Sequence, residues 1–229
     1  MSDYLEMVLE DERVHAEQSP AEIAELVAKR AVFAGELRRA GQLRDCGRFR
    51  PSREGKRVSR RGNEVQVESG PFAGTHTLAA YYWVDVPSLD HAAAVAERIP
   101  LLASDQVDVR PLMKGGVQPD KDHKPGKLFA FAVIGSGGTE HAWQQVMDRI
   151  DAETQNAFPA ASVVGGNRLK APSEGRRRAL VDGPFLESKE VIGGVFFLRM
   201  VTIDDAVRWA ADSRFVVHGV LEIRELWRS

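Results

Sequence analysis

The sequence predicts an α+β protein built from two similar halves, because one residue pattern occurs twice in the chain. Residues 68–72 (Glu-Ser-Gly-Pro-Phe) and 181–185 (Val-Asp-Gly-Pro-Phe) share a Gly-Pro-Phe core. A strand-like apolar segment, an acidic helix start and a strand ending in arginine follow each copy. Two pairs of equivalent residues are each 114 positions apart: Asp90 with Asp204, and Arg110 with Arg224. A constant offset across a helix and a strand indicates two copies of one unit.

The first half, residues 1–113, shows the order β-α-β-(β)-β-α-β. Ser19, Pro20 and Glu22 form a strong helix start, and Gly41 is a suitable stop. Alternation of apolar and polar residues and β-forming side chains predict the strands. The expected strands cover residues 4–9, 42–49, 58–68 (a hairpin), 78–86 and 106–112, and the expected helices cover 20–40 and 89–98.

The second half, residues 127–229, repeats this order after a linker at 114–126 that is rich in glycine, proline and charge. Its expected strands cover residues 128–134, 162–181, 194–200 and 220–226, and its expected helices 140–161 and 203–211. This order is the ferredoxin-like split βαβ unit, which leaves one sheet face bare. We therefore expect two ferredoxin-like βαββαβ units that pack sheet to sheet as a fused pseudo-dimeric α/β-barrel.

Composition excludes several classes of protein. Hydrophobic residues make up 43% of the 229 residues and charged residues 28%, as in ordinary globular proteins. The net charge of −2 argues against a general nucleic-acid binder, and the single cysteine, Cys46, excludes a disulfide framework. No apolar run approaches the roughly 20 residues that span a bilayer. We expect no membrane partner and a cytoplasmic location, since residues 1–6 do not resemble a secretory signal.

Residues 182–194 (Asp-Gly-Pro-Phe-Leu-Glu-Ser-Lys-Glu-Val-Ile-Gly-Gly) resemble the Asp-Gly-Pro-Phe signature of the YCII-related domain family. The similarity continues through residues 204–206, 209–211 and 222–224, and the first half resembles a degenerate copy with Ser69 in place of the aspartate. The resemblance implies a dimeric α/β-barrel of ferredoxin-like units. For activity it implies small-molecule lyase, dehalogenation or isomerisation chemistry with a His-Asp pair in some members.

The sequence departs from the family at this pair. The family histidine lies on the first helix, about three turns before the glycine that ends it. The corresponding position in the first half is Arg30, and in the second half it is Ile150 beside Arg149. Neither half keeps the histidine, so the family mechanism does not transfer directly.

We assign three candidate catalytic residues, Asp182, His76 and Lys189. Asp182 precedes Gly-Pro, where an aspartate either accepts backbone hydrogen bonds in a turn or anchors a substrate at a pocket mouth. Lys189 lies in an acidic loop that is either solvated or binds an anion. His76 is the best candidate of the six histidines because an imidazole exchanges protons near neutral pH. We expect His15 to be solvated.

The candidate substrate-binding residues are Arg30, Arg110, Arg224, Glu187 and Tyr82. The two strand-end arginines either pair with acidic residues across the sheet or bind a substrate carboxylate. Residues 81–83 are aromatic and alternate between sheet faces, so that one side is core or interface and the other is core or pocket.

We expect an enzyme that moves protons on a carbonyl or aromatic-type metabolite, such as a cyclase, isomerase or lyase. The alternative is a non-catalytic ligand-binding or regulatory interaction module. No spacing typical of a metal or nucleotide site is present, so we expect no cofactor and no metal. The expected partner is a small organic molecule and not a nucleic acid. The chain is expected to be a monomer with internal pseudo-dimeric symmetry, with a homodimer as the alternative.

Overall fold

The computed structural model describes residues 2–72, 76–113, 126–136, 163–179, 190–213 and 215–227. The first half contains strands β1 to β6 and helices α1 to α3. The strands are β1 (Ser2–Glu10), β2 (Leu43–Arg48), β3 (Lys56–Arg61), β4 (Glu64–Ser69), β5 (Thr77–Val86) and β6 (Gln106–Pro111). The helices are α1 (Glu12–Glu17), α2 (Pro20–Arg39) and α3 (Leu89–Ala96).

The described part of the second half contains five strands and two helices. These are β7 (Lys127–Ser136), β8 (Val163–Arg168), β9 (Arg176–Ala179), β10 (Glu190–Met200) and β11 (Val220–Glu225), with α4 (Ile203–Asp212) and α5 (Phe215–His218). Residues 140–161, where we expect a helix, and most of the expected linker lie outside the described residues.

Local capping chemistry defines the helix starts. The Ser19 hydroxyl accepts from the backbone N–H of Glu22, whose carboxylate accepts from the backbone of Ser19, and together they form the expected capping box of α2. Thr202 and Asp205 form the same box at α4. Helices α1 and α5 were not predicted, because six and four residues are too short for a periodic pattern. None of the helices within the described residues has the length and apolar character needed to cross a membrane.

The two halves have the same strand order. The core strands of the first half run β2-β5-β1-β6, and those of the second half run β8-β10-β7-β11. The described pairings are antiparallel, and in each half the first strand lies between the last two, as in the ferredoxin-like unit. The fold is therefore the predicted α+β class, two ferredoxin-like units in a fused pseudo-dimeric barrel.

The halves exchange strands at the edges of their sheets. The β3-β4 hairpin of the first half pairs with β11, whereas β9 of the second half pairs with β6. Val58 of β3 accordingly packs in the hydrophobic core of the second half. The sequence predicted the hairpin but not its partner.

The two sheets pack face to face, as expected. Between them lies a core to which both halves contribute, and at its centre the rings of Tyr81 and Phe197 stack with centroids 4.7 Å apart. Two further cores fill the space between each sheet and its helices. Alternation along β5 therefore sends Tyr81 and Trp83 into the core between the sheets, while Tyr82 points towards α2.

Candidate active site

A cluster of four charged side chains lies at one end of the first sheet, beneath α1 and α2. Glu10 ends β1, His15 lies on α1, Arg30 on α2, and Asp105 immediately precedes β6. Asp105 is fully buried and Arg30 is 5% exposed. Burial of this many charges is tolerated only when they are paired, and the contacts show that they are.

Arg30 is the centre of this cluster. Its guanidinium group donates to Glu10, to the Asp105 carboxylate at 3.2 Å and to the backbone carbonyl of Pro100 at 2.9 Å. The same Asp105 oxygen accepts from the backbone N–H of Leu102 at 2.8 Å. Arg30 thus fixes two carboxylates that come from opposite ends of the first half.

His15 forms a histidine-aspartate pair with Asp105. Its Nε2 atom lies 2.8 Å from Asp105 Oδ1, and its Nδ1 atom lies 3.5 Å from Glu10 Oε2. Burial opposes the charged imidazolium, but the hydrogen bond to Asp105 and the negative charges of both carboxylates outweigh it and raise the pKa of His15. The expectation that His15 is solvated is therefore wrong, since its side chain is only 14% exposed.

Three further polar side chains lie on the same face of the first sheet. Tyr82 is 4% exposed, and its ring meets that of Phe33 edge to face at 5.2 Å. Glu6 lies opposite Tyr82 on the neighbouring strand, and Arg48 ends β2 beyond it. The charges of Glu10 and Arg30 both act on Arg48, which shows that this group adjoins the cluster.

His76 lies at the rim of this site. Its Nε2 atom is 2.8 Å from the backbone carbonyl of Ser104, next to Asp105. The structure thus brings together three residues predicted from the sequence, Arg30, Tyr82 and His76, although their roles stay predictions.

Arg110 and Arg224 lie outside this cluster, and each donates a hydrogen bond to the backbone of the other half of the chain. The Arg224 Nε atom donates to the backbone carbonyl of Arg50 at 2.9 Å, and another nitrogen donates to Glu222 of the same strand at 3.0 Å. Arg110 donates to the backbone carbonyl of Lys170. Both side chains are at most 3% exposed. Their contacts are with the other half of the chain and with acidic residues of their own strand, so substrate binding by these arginines stays an untested prediction.

Asp182, Glu187 and Lys189 lie outside the described residues. Their predicted roles stay predictions.

Glu10, His15 and Asp105 could also hold a metal ion, because they offer ligand atoms that lie within 4.8 Å of one another. Arg30 already donates to both carboxylates, so a cation would have to compete with it. The three residues stand at positions 10, 15 and 105, a spacing that matches no known metal motif, and for this reason the sequence did not reveal the cluster.

A cavity of about 410 Å³ opens elsewhere, on the exchanged hairpin. Its lining residues are Arg57, Ser59, Gln66, Val67, Glu68 and Val220. None of the charged residues of the cluster contributes to it. We place the candidate site at the cluster because chemical groups suited to proton transfer are concentrated there.

Sequence reasoning missed His15 and Asp105. One local signal could have placed His15 on a helix: Asp11 caps α1, and its side chain accepts from the backbone N–H of Arg13 at 3.0 Å. No local signal links residue 15 to residue 105, because that contact depends on the fold.

Comparison with known proteins identifies a YCII-related domain at residues 123–229. No curated protein matches the chain. Among solved structures, a protein named as a candidate chlorite dismutase (TA0507) is similar with a TM-score of 0.46 and 10% identity, over 100% of this chain and 96% of that chain. A protein named as a candidate monooxygenase (FN1347) from Fusobacterium nucleatum is similar with a TM-score of 0.41 and 9% identity, over 98% of this chain and 91% of that chain.

Proposed function

We propose that the protein is an enzyme that moves protons on a carbonyl or aromatic-type metabolite, as a cyclase, isomerase or lyase does. The observation that carries this proposal is the His15-Asp105 pair, with 2.8 Å between imidazole nitrogen and buried carboxylate. A histidine oriented by a carboxylate is a common general base, since the carboxylate fixes the tautomer and stabilises the imidazolium that forms.

In the proposed mechanism, Nε2–H of His15 donates to Asp105, and Nδ1 removes a proton from carbon. Arg30 keeps Asp105 in place through its second oxygen, and Glu10 adds a negative charge 3.5 Å from the accepting nitrogen. The imidazolium then returns the proton to another carbon or to a leaving group. Proton return to another carbon completes an isomerisation, whereas protonation of a leaving group completes the elimination that a lyase catalyses.

Exchange of carbon-bound hydrogen tests this role without knowledge of the natural product. The protein is incubated in D₂O with α-ketobutyrate, cyclohexanone and tetralone, and loss of the proton NMR signals is followed. We expect exchange with the wild-type protein and a rate about 10² to 10⁴ times lower for His15→Gln. His91→Gln is the matched control, because His91 lies in the first turn of α3, is exposed and bonds to Ser88.

Exchange that is equally fast in His15→Gln would contradict the proposal. Binding of the probes without any exchange in the wild-type protein would favour the ligand-binding module instead. A pH profile adds a second check, since the raised pKa of His15 means that half of the imidazole is neutral only at a pH above the ordinary value of 6.5. The exchange rate should therefore rise with pH through a midpoint above that value, and Asp105→Asn should move the midpoint to lower pH.

A further inference from the structure

The helix-facing side of the first sheet carries three polar groups that the His15-Asp105 pair does not use. Glu6 of β1 and Tyr82 of β5 are direct cross-strand neighbours, and Tyr82 is also paired with Cys46 of β2. Arg48 lies two residues beyond Cys46 and therefore on the same face. Cβ atoms of directly opposite residues are about 5 Å apart, so the Glu6 and Tyr82 side chains start side by side.

Glu6 is a buried carboxyl group without a partner. Its exposure is 0%, and neither of its oxygens has a hydrogen-bond partner among the described residues. Burial raises the pKa of Glu6 well above its ordinary range and so favours the protonated carboxyl, which is a hydrogen-bond donor. A buried polar group of this kind requires an explanation, because an unsatisfied one destabilises the fold.

Tyr82 is a second neutral donor at the same place. Burial is the main reason that its pKa is raised, so the phenol stays protonated. No described residue accepts a hydrogen bond from its hydroxyl group. A neutral carboxyl beside a tyrosine hydroxyl is a known arrangement for holding an enolate oxygen in enzymes that abstract protons next to a carbonyl.

Arg48 adds a positive charge to these two donors. It is half-buried, and within the described ranges no carboxylate lies at ion-pair distance from it. Glu10 and Asp105 are the charged acids of the site, and both are already bonded to Arg30. The charge of Glu10 acts on Arg48 only from beyond ion-pair distance, so the guanidinium can still pair with an anionic ligand.

We propose that Glu6, Tyr82 and Arg48 bind the negatively charged oxygen of an enolate or phenolate on the helix-facing side of the first sheet, towards which the His15-Asp105 pair also lies. This inference rests on the proposed function and names its substrate class, small organic molecules that react through an oxyanion. As His15 takes the proton, the C–H bond breaks and its electron pair moves towards the carbonyl oxygen. The two O–H donors and the guanidinium stabilise that oxygen until the proton returns to carbon.

Binding of para-nitrophenol tests the site, because its anion and its neutral acid have different absorption spectra. We expect the wild-type protein to favour the bound anion and so to lower the apparent pKa of the probe. Arg48→Gln and Tyr82→Phe should each weaken binding of the anion about tenfold or more, since each removes a hydrogen bond to a charged group. Arg53→Gln is the matched control, because the Arg53 side chain is 70% exposed.

Circular dichroism establishes that the variants are folded. The inference is overturned if the anion does not bind better than the neutral probe, or if Arg48→Gln and Tyr82→Phe bind the anion as the wild-type protein does. His15→Gln separates the two proposals, because it should lose hydrogen exchange and keep para-nitrophenol binding. Exchange without anion binding removes only the oxyanion site, whereas anion binding without exchange removes only the proposed catalysis.

Discussion

Replacement of Glu6 by glutamine should make the protein less sensitive to rising pH. Glu6 is 0% exposed, and burial raises its pKa well above the ordinary 4.5. A raised pKa in the folded state means that the folded protein binds this proton more tightly than the unfolded chain. The contribution of Glu6 to stability is therefore complete below pH 4.5 and is lost as the pH rises towards the folded-state pKa.

The size of the effect follows from linkage. One proton bound only by the folded state changes the free energy of unfolding by about 1.4 kcal/mol for each pH unit. Glutamine has nearly the same shape and cannot ionise. The free energy of unfolding of Glu6→Gln minus that of the wild-type protein should thus increase with pH by up to about 1.4 kcal/mol per unit.

Urea unfolding followed by tryptophan fluorescence measures this difference at a series of pH values from about 5 to about 8. The other ionisable groups, including His15, are present in both proteins, so their effects cancel in the difference. Glu97→Gln is the control, because Glu97 is exposed at the end of α3. A difference between Glu6→Gln and the wild-type protein that does not change with pH would refute the reasoning.

Three further predictions concern packing and reactivity. Phe197→Ala should lower the free energy of unfolding by about 3–5 kcal/mol, since the Phe197 ring is 2% exposed and lies between the sheets. Val217→Ala is the control: Val217 is 55% exposed, so its replacement should change the free energy of unfolding by less than about 0.5 kcal/mol. Gly166→Ala should cost more than about 1 kcal/mol in the same assay, because φ is 130° and a Cβ would lie 2.5 Å from Phe196 Cα. Burial raises the pKa of Cys46, so iodoacetamide should alkylate the folded protein more slowly than the urea-unfolded chain at neutral pH; equal rates would contradict this.

The sequence predicted the elements of the fold well where the signal is local. The capping box at Ser19, the hairpin within residues 58–68 and the alternation along β5 each depend on neighbouring residues, and each was confirmed. The constant offset between the halves added the one long-range prediction that could be made, the pairing of two similar sheets. Helix α1 was missed because it has only six residues.

The candidate site could be predicted only in part, because its residues are distant in the sequence. Arg30 was found by its position relative to Gly41, but its partners Glu10 and Asp105 lie 20 and 75 residues away from it. The choice of Glu6 depends on burial and on its neighbour in the sheet, and neither can be seen in a local pattern. His15 was assigned to solvent since a single histidine in a polar segment gives no sign of a buried carboxylate above it.

The exchange of edge strands has a consequence for how the molecule folds and comes apart. Neither sheet is complete until residues from the other half have joined it: β3 pairs with β11, which lies about 160 positions further along the chain, and β9 pairs with β6. Contacts of such long sequence separation slow folding and couple distant segments into one cooperative transition. Calorimetry should accordingly show a single melting event for the whole polypeptide, with no separate transition for either lobe.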